Sequence, residues 1–290
     1  MPPLSSHQSS STTKLLLIGD SGAGKTGALA SLATAGYNLR ILDLDNGIDI
    51  LANYLNDPQS TYRKTSPDAL SRVHYLTLTD KMKNLNGKLI PEKVSVWTRT
   101  MNALMEWKDG DTSLGKITDW TSQDILVIDS LSALAQAALF FHLQMNGALG
   151  GSRTQNEGRR DIGVAQNLIR DFLQLLASDS LKCNIILTAH ITFVTEGGMK
   201  PDPEKSSEGT SYGYPAAVGR ALSPHIPRYF NNVLIARAEG AGRQAKHYIY
   251  TSAQLVGGQI VNGKTSAPTK VLERYPLETG LADYFKAIRA

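Results

Sequence analysis

The segment Gly19-Asp20-Ser21-Gly22-Ala23-Gly24-Lys25-Thr26 constrains this chain more than any other feature. A glycine, four residues and then Gly-Lys-Thr stand between an apolar run, Leu15 to Ile18, and a stretch rich in helix-forming Ala and Leu, Thr26 to Ala35. That context is strand, loop, helix, which the spacing requires if the loop is to curl its main-chain N–H groups around phosphate oxygens. Glycine permits such a backbone, and a helix start adds the positive end of its dipole. Lys25 is then placed to neutralise the β- and γ-phosphates of a nucleoside triphosphate, and the Thr26 hydroxyl to ligate Mg2+. The plain alternative is a glycine-rich turn with a solvated lysine.

With 290 residues, 41% hydrophobic and 19% charged, the chain has an ordinary globular composition and ample length for a buried core. Disorder throughout is excluded. Cys183 is the single cysteine, so no internal disulfide forms, and neither it nor the six histidines show zinc-site spacing. A reducing compartment is implied, and a cytoplasmic location is the expectation, that of the host if the chain is phage-encoded. No run approaches the roughly 18–20 apolar residues of a bilayer span, so no membrane association is expected. The net charge of +4 permits a polyanionic partner without demanding one. Residues 1–13, with seven Ser/Thr and no apolar core segment, read as a disordered tail.

Residues 14–290 read as one α/β domain with a mainly parallel central sheet and helices on both faces. Strands are expected at Lys14 to Ile18, Leu39 to Leu44, His74 to Leu78, Ile125 to Asp129 and Asn184 to Thr188. A strand pair is expected at Asn232 to Arg237 and Lys246 to Thr251. Helices are expected at Thr26 to Ala35, from Gly47 through Tyr54, and at Val94 to Trp107. Further helices are expected at Leu131 to Met145, Val164 to Ala177 and Gly280 to Arg289. Loops are expected at 57–67, over the polar stretch 109–123, and from Gly147 to Gly163. The Gly-, Pro- and Ser-rich stretch at about 195–229 reads as a mobile loop, a lid or a small subdomain.

Three strand ends carry candidate chemistry. Asp129 closes the apolar run 125–128 and suits a water-mediated Mg2+ contact; its alternative is a strand-end acid or cap. Asp43 and Asp45 end the second strand, where a carboxylate can orient the attacking water, and Asp45 is the preferred candidate. His190 follows the strand 184–189 and suits a γ-phosphate contact, with a purely structural role as the alternative.

The order GDSGAGKT, LDLDNG, ILVIDSLSAL, a Gly-rich loop and helix, and NIILTAH resembles the RecA-like P-loop ATPases. More narrowly, it resembles the short bacteriophage ATPases associated with single-strand annealing recombination, over about Lys14 to Thr251. The resemblance implies a RecA-like core in which the strand 184–188 lies between those ending at Gly19 and Asp129. It implies ATP and Mg2+ as cofactors, and catalytic roles for Lys25, Asp45, Asp129 and His190. Asp45 stands where the family carries Glu, and His190 where a polar sensor, often Gln, stands.

It further implies a homo-oligomer, ring or filament, that binds single-stranded DNA, with a single-stranded DNA-binding protein as a further partner. The first DNA-facing loop falls on Gly150 to Arg160, with Arg153, Arg159 and Arg160; a helix-start salt bridge is the alternative for the latter two. The second falls on about Thr195 to Arg220, with Tyr212, Tyr214 and Arg220, where stacking competes with plain loop or lid packing. Arg243 and Lys246 approximate the base that a neighbouring subunit delivers to the γ-phosphate. Competing readings are a nucleotide-gated assembly or loader module with slow hydrolysis and a P-loop small-molecule kinase. A GTPase is disfavoured by the lack of an NKxD motif.

Overall fold

The computed structural model describes residues 12–195, 211–240 and 242–290, apart from the side chains of Asp109 and Arg243. The first apolar run forms the strand Lys14–Ile18, whose alternate residues are buried on opposite sides. Leu16 and Ile18 join one apolar cluster, Leu15 and Leu17 the other. Asp124–Asp129 and Asn184–Ala189 repeat this: Leu126, Ile128, Ile185 and Leu187 face the first cluster, and Ile125, Val127 and Ile186 the second. A strand covered on both faces has no use for polar alternation, which is why these read as continuous apolar runs.

The main sheet runs in the order Arg274–Pro276, Lys246–Tyr250, Asn232–Glu239, Lys14–Ile18, Asn184–Ala189, Asp124–Asp129, Asn38–Asp43, Val73–Thr77. Pairings from Asn232–Glu239 through to Val73–Thr77 are parallel, and the two at the other edge are antiparallel. The strand 184–189 thus lies between 14–18 and 124–129, as the resemblance implies. Helices Val96–Met105, Leu131–Met145 and Gln155–Ala177 cover one face through Trp97, Leu134 and Phe172. Helices Ala30–Thr34, Asp49–Asn56 and Gly280–Arg289 cover the other through Leu32, Leu51 and Phe285.

Several stretches depart from the sequence expectation. The helix after the glycine loop is broken at Leu29 into Lys25–Ala28 and Ala30–Thr34. The loop 57–67 contains a short helix, Thr61–Thr65, capped by Ser60. The loop expected up to Gly163 ends about nine residues early. Thr154 Oγ1 accepts from the Glu157 N–H at 3.3 Å, the Glu157 carboxylate accepts from the Thr154 N–H at 2.8 Å, and the helix Gln155–Ala177 begins there. Arg159 and Arg160 therefore lie on a helix, not in a loop.

The tail ends earlier than expected, since Thr13 is buried and its N–H donates to Asn184 Oδ1 at 2.8 Å; residues 1–11 lie outside the described residues. Of the stretch 195–229, residues 196–210 also lie outside them. Residues 211–229 are not loop throughout: Ser211–Pro215 pairs antiparallel with Ile191–Thr195, and Ser223–Tyr229 is a 3-10 helix. A hairpin, Met82–Leu85 with Lys88–Pro91, occupies a stretch to which the sequence assigned no element.

Candidate active site

In a parallel sheet the strand C-termini share one edge, and the residues beyond them converge there. Residues following 14–18, 38–43, 124–129 and 184–189 border one cavity of about 610 Å³, whose lining includes Lys25, Thr26, Asp45, Asp129, His190 and His247.

The glycine loop is shaped for a bound anion. Gly24 has φ 95°, and a Cβ there would lie 2.8 Å from Leu277 Cδ1. At Gly19 a Cβ would lie 2.6 Å from the Ala236 carbonyl oxygen. Among the described residues no protein acceptor meets the main-chain N–H of Gly22, Gly24, Lys25 or Thr26, so these donors are available to phosphate oxygens. Lys25 is buried, and its Nζ donates to the carbonyls of Gly19 at 2.8 Å and Asp20 at 2.9 Å. Burial pulls its pKa below the ordinary lysine value, opposed by the charges of Asp129, Asp45 and Asp20. His247 Nε2 lies 3.1 Å from the Gly22 carbonyl oxygen and braces the loop tip.

The two side chains expected to hold the metal meet directly. Thr26 Oγ1 donates to Asp129 Oδ2 at 2.6 Å, and the Thr188 hydroxyl donates to Asp129 Oδ1. These are hard oxygen donors, and among the described residues no cluster of three or more His, Cys, Asp or Glu offers a protein-only cage. The donor set fits Mg2+, which takes one or two protein oxygens together with phosphate oxygens and water. Thr26 and Asp129 would hold it, and the ion would neutralise charge on the phosphates.

The two acids of the second strand have separate jobs. Asp43 is buried; its Oδ1 accepts from the Gly47 N–H at 2.9 Å and its Oδ2 from the Thr77 hydroxyl at 3.5 Å, so it holds the 43–47 turn closed. Burial, together with the nearby Asp129, raises its pKa above the usual carboxylate range. Asp45 instead lines the cavity, with Oδ2 at 3.4 Å from His190 Nε2. Its backbone is set by the Asp129 carbonyl, which accepts from the N–H of Leu44 at 2.6 Å and of Asp45 at 3.2 Å.

A family model for an AAA domain matches residues 11–254. The chain belongs to this AAA domain family. No curated protein matches it. Among solved structures, the RadB recombinase is similar at 12% identity and a TM-score of 0.40, covering 86% of this chain and 90% of that one. A KaiC-like protein from Pyrococcus horikoshii gives 14% identity and a TM-score of 0.37, covering 86% and 88%. An ATPase of a bacterial type III secretion system gives 11% and 0.36, covering 77% and 51%. The AAA domain here is a RecA-like P-loop ATPase core: a mainly parallel sheet with the glycine loop and Asp129 at the same edge.

The remaining candidates of this AAA domain are not among the residues that line the cavity. Arg153 is committed to buried Asp161, donating from Nε at 2.9 Å and from a terminal nitrogen at 3.0 Å, while His142 Nε2 lies 3.0 Å from the same carboxylate. Arg159 and Arg160 are exposed on the first turns of the helix Gln155–Ala177. Arg220 is exposed beside Gly219, which is packed on Ile162 and Gln166 of that helix. Tyr212 and Tyr214 lie half-buried on one face of the strand Ser211–Pro215. Lys246 is exposed at a strand start opposite Glu239 and does not line the cavity. Arg243 sits in the 3-10 turn Gly242–Gln244, with its side chain outside the described residues.

Thr188, His247, Tyr54 and Leu277 also belong to the site, as a bond to Asp129 or as cavity lining, and sequence reasoning missed them. Thr188 merely ends an apolar run. The other three come from separate elements and carry no motif.

Proposed function

We propose that this protein binds and hydrolyses ATP with Mg2+, binds single-stranded DNA, and acts as a homo-oligomer in recombination or annealing. The observation that carries the catalytic part is the meeting of Lys25, Thr26, Asp129, Asp45 and His190 around one cavity beside the glycine loop. Lys25 and the free loop amides grip the phosphates, and Asp45 orients and deprotonates the attacking water. His190, which lies 3.4 Å from Asp45, contacts the γ-phosphate.

His190 also links the cavity to the basic helix. Its N–H donates to Ser132 Oγ at 3.3 Å, and its carbonyl accepts from the Ala216 N–H at 2.7 Å. From there Gln166 Nε2 bonds the Val218 carbonyl at 3.0 Å, on the helix that carries Arg159 and Arg160. This connection supports coupling of nucleotide state to DNA binding. Arg243 or Lys246 of a neighbouring subunit completes the site by stabilising transition-state charge.

ATP turnover measured with and without single-stranded DNA, alongside the mass of the assembly, tests the reading. Stimulation by DNA and an oligomer support it. No DNA binding at low salt with ATP and Mg2+ overturns the DNA part. A nucleotide-gated loader with slow hydrolysis is a second reading, favoured by the shorter Asp45 standing where RecA-like ATPases carry Glu; a single-turnover rate separates the two.

A further inference from the structure

The hairpin Met82–Leu85/Lys88–Pro91 belongs to neither the nucleotide cavity nor the basic helix, yet it is firmly built. Its turn, Asn86-Gly87, has φ of 51° and 81°, the positive pair that a two-residue type I′ connection requires. Asn84 Oδ1 accepts from the Gly87 N–H at 2.9 Å. Its base is anchored by buried Ile90 and Pro91.

The register pairs Leu85 with Lys88 and Lys83 with Ile90, so these four share one face. That face meets the Gly-rich stretch before the helix Gln155–Ala177. A Cβ on Gly150 would lie 2.8 Å from Leu85 Cδ2 and 3.2 Å from Ile90 Cδ1. Lys88 Nζ donates to the Gly151 carbonyl at 3.1 Å. Residues 80–93 hold four lysines (81, 83, 88, 93) against Asp80 and Glu92. Asp80 is taken up by Ser95, accepting from its N–H at 3.0 Å and its hydroxyl at 2.7 Å. Among the described residues no carboxylate pairs with any of the four lysines.

We propose that this hairpin is a further contact element for single-stranded DNA, with Lys83 and Lys88 bordering the 147–153 stretch and taking backbone phosphates. The inference rests on the DNA-binding reading above. Lysines without a carboxylate partner on an exposed hairpin match a polyanion, and the hairpin packs on the Gly-rich stretch that leads into the helix carrying exposed Arg159 and Arg160.

The test is binding of a labelled oligo-dT to the full chain with ATP and Mg2+ over a range of salt, for wild type and K83Q/K88Q, with thermal melting to confirm folding. Each neutralised single-strand phosphate contributes about 0.7 to the salt slope, so the double variant is expected to lose about 1.4 of slope and about tenfold or more in affinity. Wild-type slope and affinity in a folded K83Q/K88Q overturns the hairpin proposal while leaving the DNA reading intact. No oligo-dT binding by wild type overturns both. A wild-type slope combined with a change in assembly mass for L89D assigns the hairpin to protein contact and also overturns the proposal.

Discussion

Asp45 Oδ2 lies 3.4 Å from His190 Nε2 across the mouth of the phosphate cavity, joining the ends of two strands that are not neighbours in the sheet. The contact brings a second strand-end side chain beside a short acid whose own N–H is held by the Asp129 carbonyl. Under the proposed function Asp45 is the base that orients the attacking water. D45N is expected to lower turnover about 100- to 10,000-fold with ATP affinity largely kept. Steady-state turnover beside equilibrium nucleotide binding checks this, and parallel losses in both would assign Asp45 to binding instead.

Thr188 is expected to control the metal through Asp129. T188V removes the hydroxyl that satisfies Oδ1 of a buried carboxylate. The Mg2+ concentration for half-maximal turnover should rise about 10- to 100-fold, as for other supports of a ligating group. A magnesium titration of the variant reads this directly, and an unchanged midpoint contradicts it.

Much of the sheet was legible because strands buried on both faces leave unbroken apolar runs: Leu15 to Ile18, Ile125 to Ile128 and Ile185 to Leu187 mark strands that emerge within a residue or two. The glycine loop and Asp129 were legible because their spacing is the chemistry. The hairpin at 82–91 was not, since Lys and Asn interrupt its apolar residues, although Asn86-Gly87 is a strong turn signal. The helix start at Thr154 was hidden by Gly158 and Gly163, although Thr154 and Glu157 have capping-box spacing. Thr188 and His247 reach the site through strand register, which one chain's pattern does not specify.

Gly24 combines two constraints, a left-handed backbone and contact with Leu277. G24A is expected to lose nucleotide binding and about 1–2 kcal/mol of stability from the backbone alone. Adding L277A relieves the clash but not the positive φ, so the double variant should still fail to bind. Recovery of affinity by L277A would show that crowding was the whole effect.

The Arg153–Asp161–His142 cluster gives a pH signature. Hydrogen bonds from Arg153, helped by His142, hold the Asp161 carboxyl below the usual range. A depressed carboxylate contributes stability fully above its unfolded value, about 3.9, and loses it as pH falls through the lower folded value. R153A should therefore melt below wild type at neutral pH, with the gap closing at and below about pH 4. Melting curves from about pH 3 to 7 test this, and a constant gap contradicts it.

The central claim is that the loop 19–26 grips a nucleoside triphosphate through its amides and Lys25. Equilibrium titration of a non-hydrolysable ATP analogue with Mg2+ into wild type and K25A measures it most directly. The account predicts saturable binding by wild type and a loss of about 100-fold or more in K25A, about 2.7 kcal/mol. Equal affinity in the two proteins, or no binding by either, would contradict it.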